Sequence, residues 1–225
     1  MSVTNLSIES SDSTDKRLNR IKSALPYSSH LLAVSKNYSV DKVHYMAMLG
    51  QISFGESKLQ EGLLKQKQLL DFPNLDWHFI GRLQSNKIRK VINNFHTIHS
   101  VSSLALAQKL QQSAIEEEYQ PQILLQIKLI SDVNKVGFSY TELIESWHIL
   151  TLLKPLNLIG LMCIAPLDLQ PKYRRKLFAK CRELVKILGL KECSMGMSND
   201  WREAVIEGSH YVRIGSALFN NNERL

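Results

Sequence analysis

Residues 31–36 read LLAVSK, four apolar residues in a row followed by Ser35 and Lys36. A short apolar run without polar alternation describes a strand covered on both faces, as the strands of parallel sheets are. Seven further runs of this kind occur near Ile52–Phe54, His78–Ile80, Thr97–His99, Ile123–Ile127, Leu158–Met162, Cys193–Met195 and Tyr211–Ile214. Between them lie segments of helical periodicity, at roughly 40–49, 57–70, 86–93, 102–118, 140–153, 172–188 and 200–207, with a last short one after Ser216. Eight strand–helix pairs without long linkers predict an α/β fold, a single closed (β/α)8 TIM barrel. A doubly wound open sheet is the alternative, and against it no G-x-G-x-x-G follows the first strand.

Ahead of the first strand, residues 1–15 are polar and rich in Ser and Thr. They read as an N-terminal arm leading into a helix over roughly Asp15–Leu25. The barrel is then expected over 16–225, with no internal repeat and no second domain. A chain of 225 residues at 44% hydrophobic composition can bury one full core. Its 28 Lys+Arg against 21 Asp+Glu give a net charge of +7, which suits an anionic partner. The positive charges are spread, with only short groups such as Lys172–Lys176, and Trp77 and Trp201 lack interleaved basic residues. That pattern describes solvated helix faces and a small phosphorylated ligand better than a nucleic-acid track. The three cysteines have no C-x-x-C spacing, which argues against a disulfide framework and a zinc site. No run approaches about 18 apolar residues and no signal pattern opens the chain, so the expectation is a cytoplasmic protein with no membrane partner.

In such barrels the working face lies at the carboxyl ends of the strands, and a phosphate commonly sits on the loops after strands seven and eight. The loop after the seventh run carries Ser194-Met-Gly196-Met-Ser198-Asn199-Asp200, and the eighth leads into Arg213-Ile-Gly215-Ser216. Both are small-residue loops entering helices, where backbone N–H groups and hydroxyls can meet an anion. Barrel closure sets strand one beside strand eight, bringing Lys36 to the same rim. Apolar shielding near a fixed cation would favour its neutral amine, a nucleophile for an aldehyde. Arg213 alternates with Val212 and Ile214, and one of the two sets must face the barrel interior. An inward arginine needs a planar acceptor such as a pyridine nitrogen, or a carboxylate from a neighbouring strand. Spacing alone therefore reaches a phosphate-containing ligand with a candidate Schiff-base lysine.

The strings LLAVSK (31–36), FGESKLQEG (54–62), HFIGRLQSNK (78–87), GLMCIAP (160–166), SMGMSNDWREAVIEGS (194–209) and VRIGSALF (212–219) resemble the YggS/PROSC family of pyridoxal phosphate homeostasis proteins. The resemblance runs from about residue 16 to the C-terminus and implies a fold-type III barrel like the N-terminal domain of alanine racemase. It implies pyridoxal 5'-phosphate as cofactor, Lys36 as the Schiff-base lysine and Arg213 as the partner of the pyridine nitrogen, with Ser198, Gly215 and Ser216 on the phosphate. It also implies a carrier or reservoir in transient contact with apo-enzymes, not a catalyst.

The chain departs from the family pattern where Ser57 stands in place of a usual asparagine, in the segment 131–137 around Lys135, which is one residue short, and at Asn220, a usual glycine whose replacement is expected to matter little. His78 reads as a hydrogen-bonded strand histidine, Ser85 or Asn86 as a helix cap beside Lys87, and Met162 and Met195 as core filler. A racemase on the same cofactor ranks second, because beyond Lys36 no convincing second general base stands out. A scaffold or basic binding module ranks third. A lone complete barrel makes a monomer the default.

Overall fold

β1 (His30–Val34) pairs in parallel with β8 (Tyr211–Ile214), His30 opposite Tyr211 and Leu32 opposite Arg213. That pairing closes a sheet whose other strands come in chain order: β2 (Ser53–Glu56), β3 (Asp76–Phe79), β4 (Thr97–Val101), β5 (Gln122–Ile127), β6 (Asn157–Cys163) and β7 (Glu192–Met197). All eight neighbouring pairs are parallel, as apolar runs buried on both faces require. The computed structural model describes residues 13–130 and 136–220.

Helices cover the sheet: α1 (Thr14–Ala24), α2 (Val40–Met48), α3 (Leu59–Gln68), α4 (Ile88–Ile92), α5 (Leu104–Glu116), α6 (Tyr140–Thr151), α7 (Pro171–Ile187), α8 (Trp201–Ile206) and α9 (Ser216–Phe219). Local chemistry sets several of their starts. Ser139 and Glu142 form a reciprocal capping box on α6, Ser103 caps α5, and Pro171 occupies the first turn of α7. α1 begins at Thr14, inside the stretch read as an arm, and the remainder of that stretch, 1–12, lies outside the described residues. Its buried face is Arg17, Leu18 and Ile21, and Arg17 Nε donates to the Leu218 carbonyl of α9 at 3.0 Å. The helix expected over 86–93 is interrupted: a 3-10 turn spans Ser85–Lys87 before α4, and neither Ser85 nor Asn86 caps it. Ser85 Oγ accepts from Lys109 Nζ at 3.2 Å instead.

Strand parity divides the interior in two. Leu31, Ala33, Phe54, Trp77, Phe79, Ile98, Leu125, Leu161, Met195, Val212 and Ile214 belong to the continuous apolar core they share with the helices. The alternate set, which faces the barrel axis, holds Leu32, Leu124 and Met162 but also the buried polar side chains His78, His99, Ser194 and Arg213. The apolar layer between sheet and helices supplies the hydrophobic stabilisation, and the axis carries hydrogen-bonding groups that must satisfy one another. Cys163, Cys181 and Cys193 are free and buried. Among the described residues no cluster is placed to hold a metal, and no helix is long and apolar enough to cross a membrane.

The register of β7 against β8 slips between Ser194 (opposite Tyr211) and Met197 (opposite Arg213). Three steps along β7 thus oppose two along β8, a bulge that re-aims the residues beyond it. Gly196 makes it possible: its φ is +83°, and a Cβ there would lie 2.6 Å from Ala204 Cβ and 2.8 Å from Trp201 Cα on α8. Gly196→Ala is expected to cost about 2–4 kcal/mol, left-handed strain and overpacking combined. Gly189→Ala, with φ +69° but open space around it, should lose only the backbone part, about 1–2 kcal/mol. Urea midpoints of the two variants check the difference.

Candidate functional site

At the carboxyl ends of the strands opens a cavity of about 420 Å³, and Lys36, Ser198, Arg213, Gly215 and Ser216 all line it. The five residues singled out in the sequence are therefore brought together by the closure of β1 on β8.

Lys36 lies just past β1, in the parity of Leu32 and Val34. It is exposed at the mouth, so the sheath of apolar strand ends expected around it is not there. The turn that carries it is built firmly. Asn37 sits in the left-handed region at φ +65°, which asparagine tolerates better than most residues. Its backbone N–H donates to Glu61 Oε1 at 2.5 Å, and its side-chain oxygen accepts from Lys58 Nζ at 2.7 Å. Beneath it, Lys65 Nζ donates to the Ser35 carbonyl (2.6 Å), to Glu56 Oε1 (2.7 Å) and to Glu61 Oε1 (2.7 Å), while Ser35 Oγ donates to Glu56 Oε1 at 2.6 Å. Glu56 is fully buried and burial pushes its carboxyl up, against the opposing pull of Lys65 and Ser35.

Arg213 projects from β8 toward the axis and is 4% exposed. Nη1 donates to Ser194 Oγ at 2.7 Å and Nη2 to the Cys163 carbonyl at 3.0 Å. The carboxylate partner left open by the sequence is not found within salt-bridge distance among the described residues. A buried cation held by neutral acceptors is costly unless something else meets it, and burial lowers its pKa to about 10. On the cavity wall, Ser198 Oγ accepts from the backbone N–H groups of Gly215 and Ala217, both at 3.3 Å. Those amides are a ready pair of donors for an anionic oxygen. α9 has only four residues, so the donors act as individual amides rather than through a summed helix dipole.

Three contributors were not legible in the sequence. Arg174 reaches the cavity from α7, donating to the Asn199 carbonyl at 3.3 Å and facing Glu203 at 3.5 Å, with its buried Nε unpartnered. Asp200 lines the wall and accepts from the Met197 N–H at 2.6 Å; burial raises its pKa. Tyr38 forms part of the lip, stacked on Phe219 with ring centroids 4.5 Å apart, and its hydroxyl donates to Asn220 Oδ1 at 2.8 Å. Asn220 was expected to matter little and in fact latches that lip. His78 is, as expected, a buried and hydrogen-bonded strand histidine, and Met162 and Met195 are buried filler. Ser57, Asn86 and Lys87 are absent from the lining, and Lys135 lies outside the described residues. Among the described residues the cavity thus sets three cations, Lys36, Arg174 and Arg213, against one carboxylate, Asp200. It fits an anionic ligand with an acceptor for Arg213 and an electrophile within reach of the mouth.

The model of the family described as "Alanine racemase, N-terminal domain" matches residues 10–223. The chain is 44% identical over 207 residues to the pyridoxal phosphate homeostasis protein of Synechocystis sp., covering 89% of this chain and 95% of that one. Among solved structures it is similar to PipY of Synechococcus elongatus with PLP bound, at a TM-score of 0.89 and 40% identity over 92% of this chain and all of that one. Alanine racemase of Clostridium difficile, at 19% identity and a TM-score of 0.74, shares the fold over 90% of this chain and 57% of its own.

Asp200 offers a test of the site's electrostatics. Its carboxyl is raised on folding, so the folded chain holds that proton more tightly than the unfolded one, and the group's contribution to stability falls as pH rises from the ordinary value of 3.8 through the folded one. Asp200→Asn, which keeps an oxygen acceptor for the Met197 N–H, should therefore gain stability relative to wild type across that window and hold the gain above it. Urea denaturation over a pH series gives the readout.

Proposed function

We propose, for a chain that belongs to the alanine racemase N-terminal domain family and within it to the pyridoxal phosphate homeostasis proteins, that the cavity binds pyridoxal 5'-phosphate and that the protein serves as its carrier or reservoir. The observation that carries this reading is the gathering of Lys36, Ser198, Arg213, Gly215 and Ser216 around one cavity, with Ser198 Oγ held by the Gly215 and Ala217 amides. The residues fit the group. Lys36 Nζ would hold the aldehyde carbon as a Schiff base, one water leaving as the C=N bond forms. Ser198, Gly215 and Ser216 would hold the phosphate, where Ser198 Oγ now accepts hydrogen bonds from the Gly215 and Ala217 amides. Arg213, a buried cation with no carboxylate within salt-bridge distance among the described residues, would meet the pyridine nitrogen.

A permanent cation at that nitrogen keeps the ring unprotonated and so a weak electron sink, which suits storage and transfer better than carbanion chemistry. The exposed lysine at an open mouth suits reversible loading. We read the protein as a cytoplasmic monomer without robust catalysis, handing cofactor to apo-enzymes through transient contact and binding neither nucleic acid nor membrane.

Purified protein given pyridoxal phosphate should show the visible band of a Schiff base. Borohydride should convert it to a stable adduct on Lys36, and Lys36→Ala should lack both. A wild-type protein that stays colourless and takes up no cofactor sinks the assignment. Delivery is tested separately: activation of an apo-enzyme by the loaded protein no faster than by equal free cofactor removes the carrier role and leaves binding intact. Loss of optical activity or α-proton exchange in an amino-acid panel would replace the carrier with a racemase.

A further inference from the structure

Four polar side chains on the barrel axis form an unbroken series between Arg213 and the opposite end of the sheet. Arg213 Nη1 lies 2.7 Å from Ser194 Oγ, Ser194 Oγ 2.9 Å from His99 Nδ1, His99 Nε2 2.8 Å from His78 Nδ1, and His78 Nε2 2.7 Å from Asp76 Oδ2. Ser194, His99 and His78 are buried, whereas the Asp76 side chain, at the first residue of β3, is 34% exposed. The series therefore runs from the cavity through the core to solvent. We propose that Asp76, His78, His99 and Ser194 are a one-way hydrogen-bond relay that positions Arg213 and sets the field its guanidinium presents to the cavity.

With His78 neutral, the two ends fix the direction. A guanidinium only donates and a carboxylate only accepts. His78 must donate from Nε2 to Asp76, so in its neutral form its Nδ1 accepts. His99 must then donate from Nε2, leaving its own Nδ1 as acceptor, and Ser194 must point its hydroxyl hydrogen there. Ser194 Oγ is thereby free to accept from Arg213. Each bond polarises the next in a low-dielectric interior, and the series links a buried cation to a distant carboxylate without bringing the two together. The surroundings agree with a neutral His99. Burial above all, with the cationic Arg213 behind it, holds that imidazole well below its ordinary value. Tyr211 sets its ring edgewise to both imidazoles, with centroids 5.4 Å away in each case, which fixes their planes. At the far end, Asp76 Oδ1 faces His96 Nδ1 at 3.4 Å, holding the carboxylate in place.

The functional part of this inference rests on the reading that Arg213 meets a pyridine nitrogen; the tautomers do not. Two experiments separate them. Nitrogen-15 NMR of the cofactor-free wild type should show His78 and His99 each protonated on Nε2 alone, and a His99 protonated on Nδ1 overturns the relay. Ser194→Ala removes the bond to Arg213 and should weaken pyridoxal phosphate binding roughly tenfold, the loss of one charge-assisted hydrogen bond. It should also shift the bound cofactor's absorption maximum, which loss of packing alone would not move. Asp76→Asn, two histidines and a serine away from Arg213, puts an amide that can donate where only an acceptor stood. The His99 nitrogen signals should then report both tautomers. Wild-type affinity and spectrum in Ser194→Ala, or unchanged His99 signals in Asp76→Asn, overturn the proposal. A wild type that takes up no cofactor defeats the binding reading instead, and the nitrogen spectra still decide the relay.

Discussion

The parallel pairing of β1 with β8 is the contact on which the site depends. Residues 36 and 215 are remote in sequence, and only closure puts the turn after one strand against the loop after the other. Closure also creates an inside. Once the sheet has no edges, every second side chain on each strand faces the axis, and the polar ones among them find partners in one another and in backbone carbonyls. The outer layer, where Val212 and Ile214 meet the helices, carries the hydrophobic work of folding. That leaves the axis able to hold His78, His99, Ser194 and Arg213 without costing the barrel its core.

Much of this was visible in the chain because burial on both faces leaves a plain mark. A run such as LLAV or ILLQI has no solvated face to alternate with, so strand positions could be read from composition over a few residues. The gathering of Lys36, Ser198, Arg213, Gly215 and Ser216 came with them, since a closed eight-stranded barrel has only one place for the ends of strands one, seven and eight. Parity narrowed Arg213 to one of two orientations but left the choice open, because the adjacent Val212 and Ile214 would suit either a filled axis or a covered outer face.

The features that the chain did not disclose depend on reach and register. Arg174 is one of several basic residues on α7, and nothing local separates the one that bends over the cavity from Arg175, which pairs with Glu207 at 2.7 Å. Asp200 resembles an ordinary residue before a helix, yet its carboxylate turns back to the Met197 N–H. The slip of β7 against β8 at Gly196 decides where Ser198 points, and a glycine between two methionines carries no outward sign of a bulge. The break before α4 is similar: Ser85 looks like a cap but is claimed by Lys109 from the neighbouring helix.

The hydrogen bond between Tyr38 and Asn220 ties the rim of the cavity to the last part of the chain that the structure describes. An affinity tag or fluorescent fusion joined shortly after Asn220 would therefore sit beside that latch. A fusion joined just ahead of Thr14 would instead adjoin α1, whose Arg17 donates to the Leu218 carbonyl of α9. Ligand affinities measured on carboxyl-tagged and amino-tagged protein are thus not interchangeable, and the tag-free chain is the reference for both.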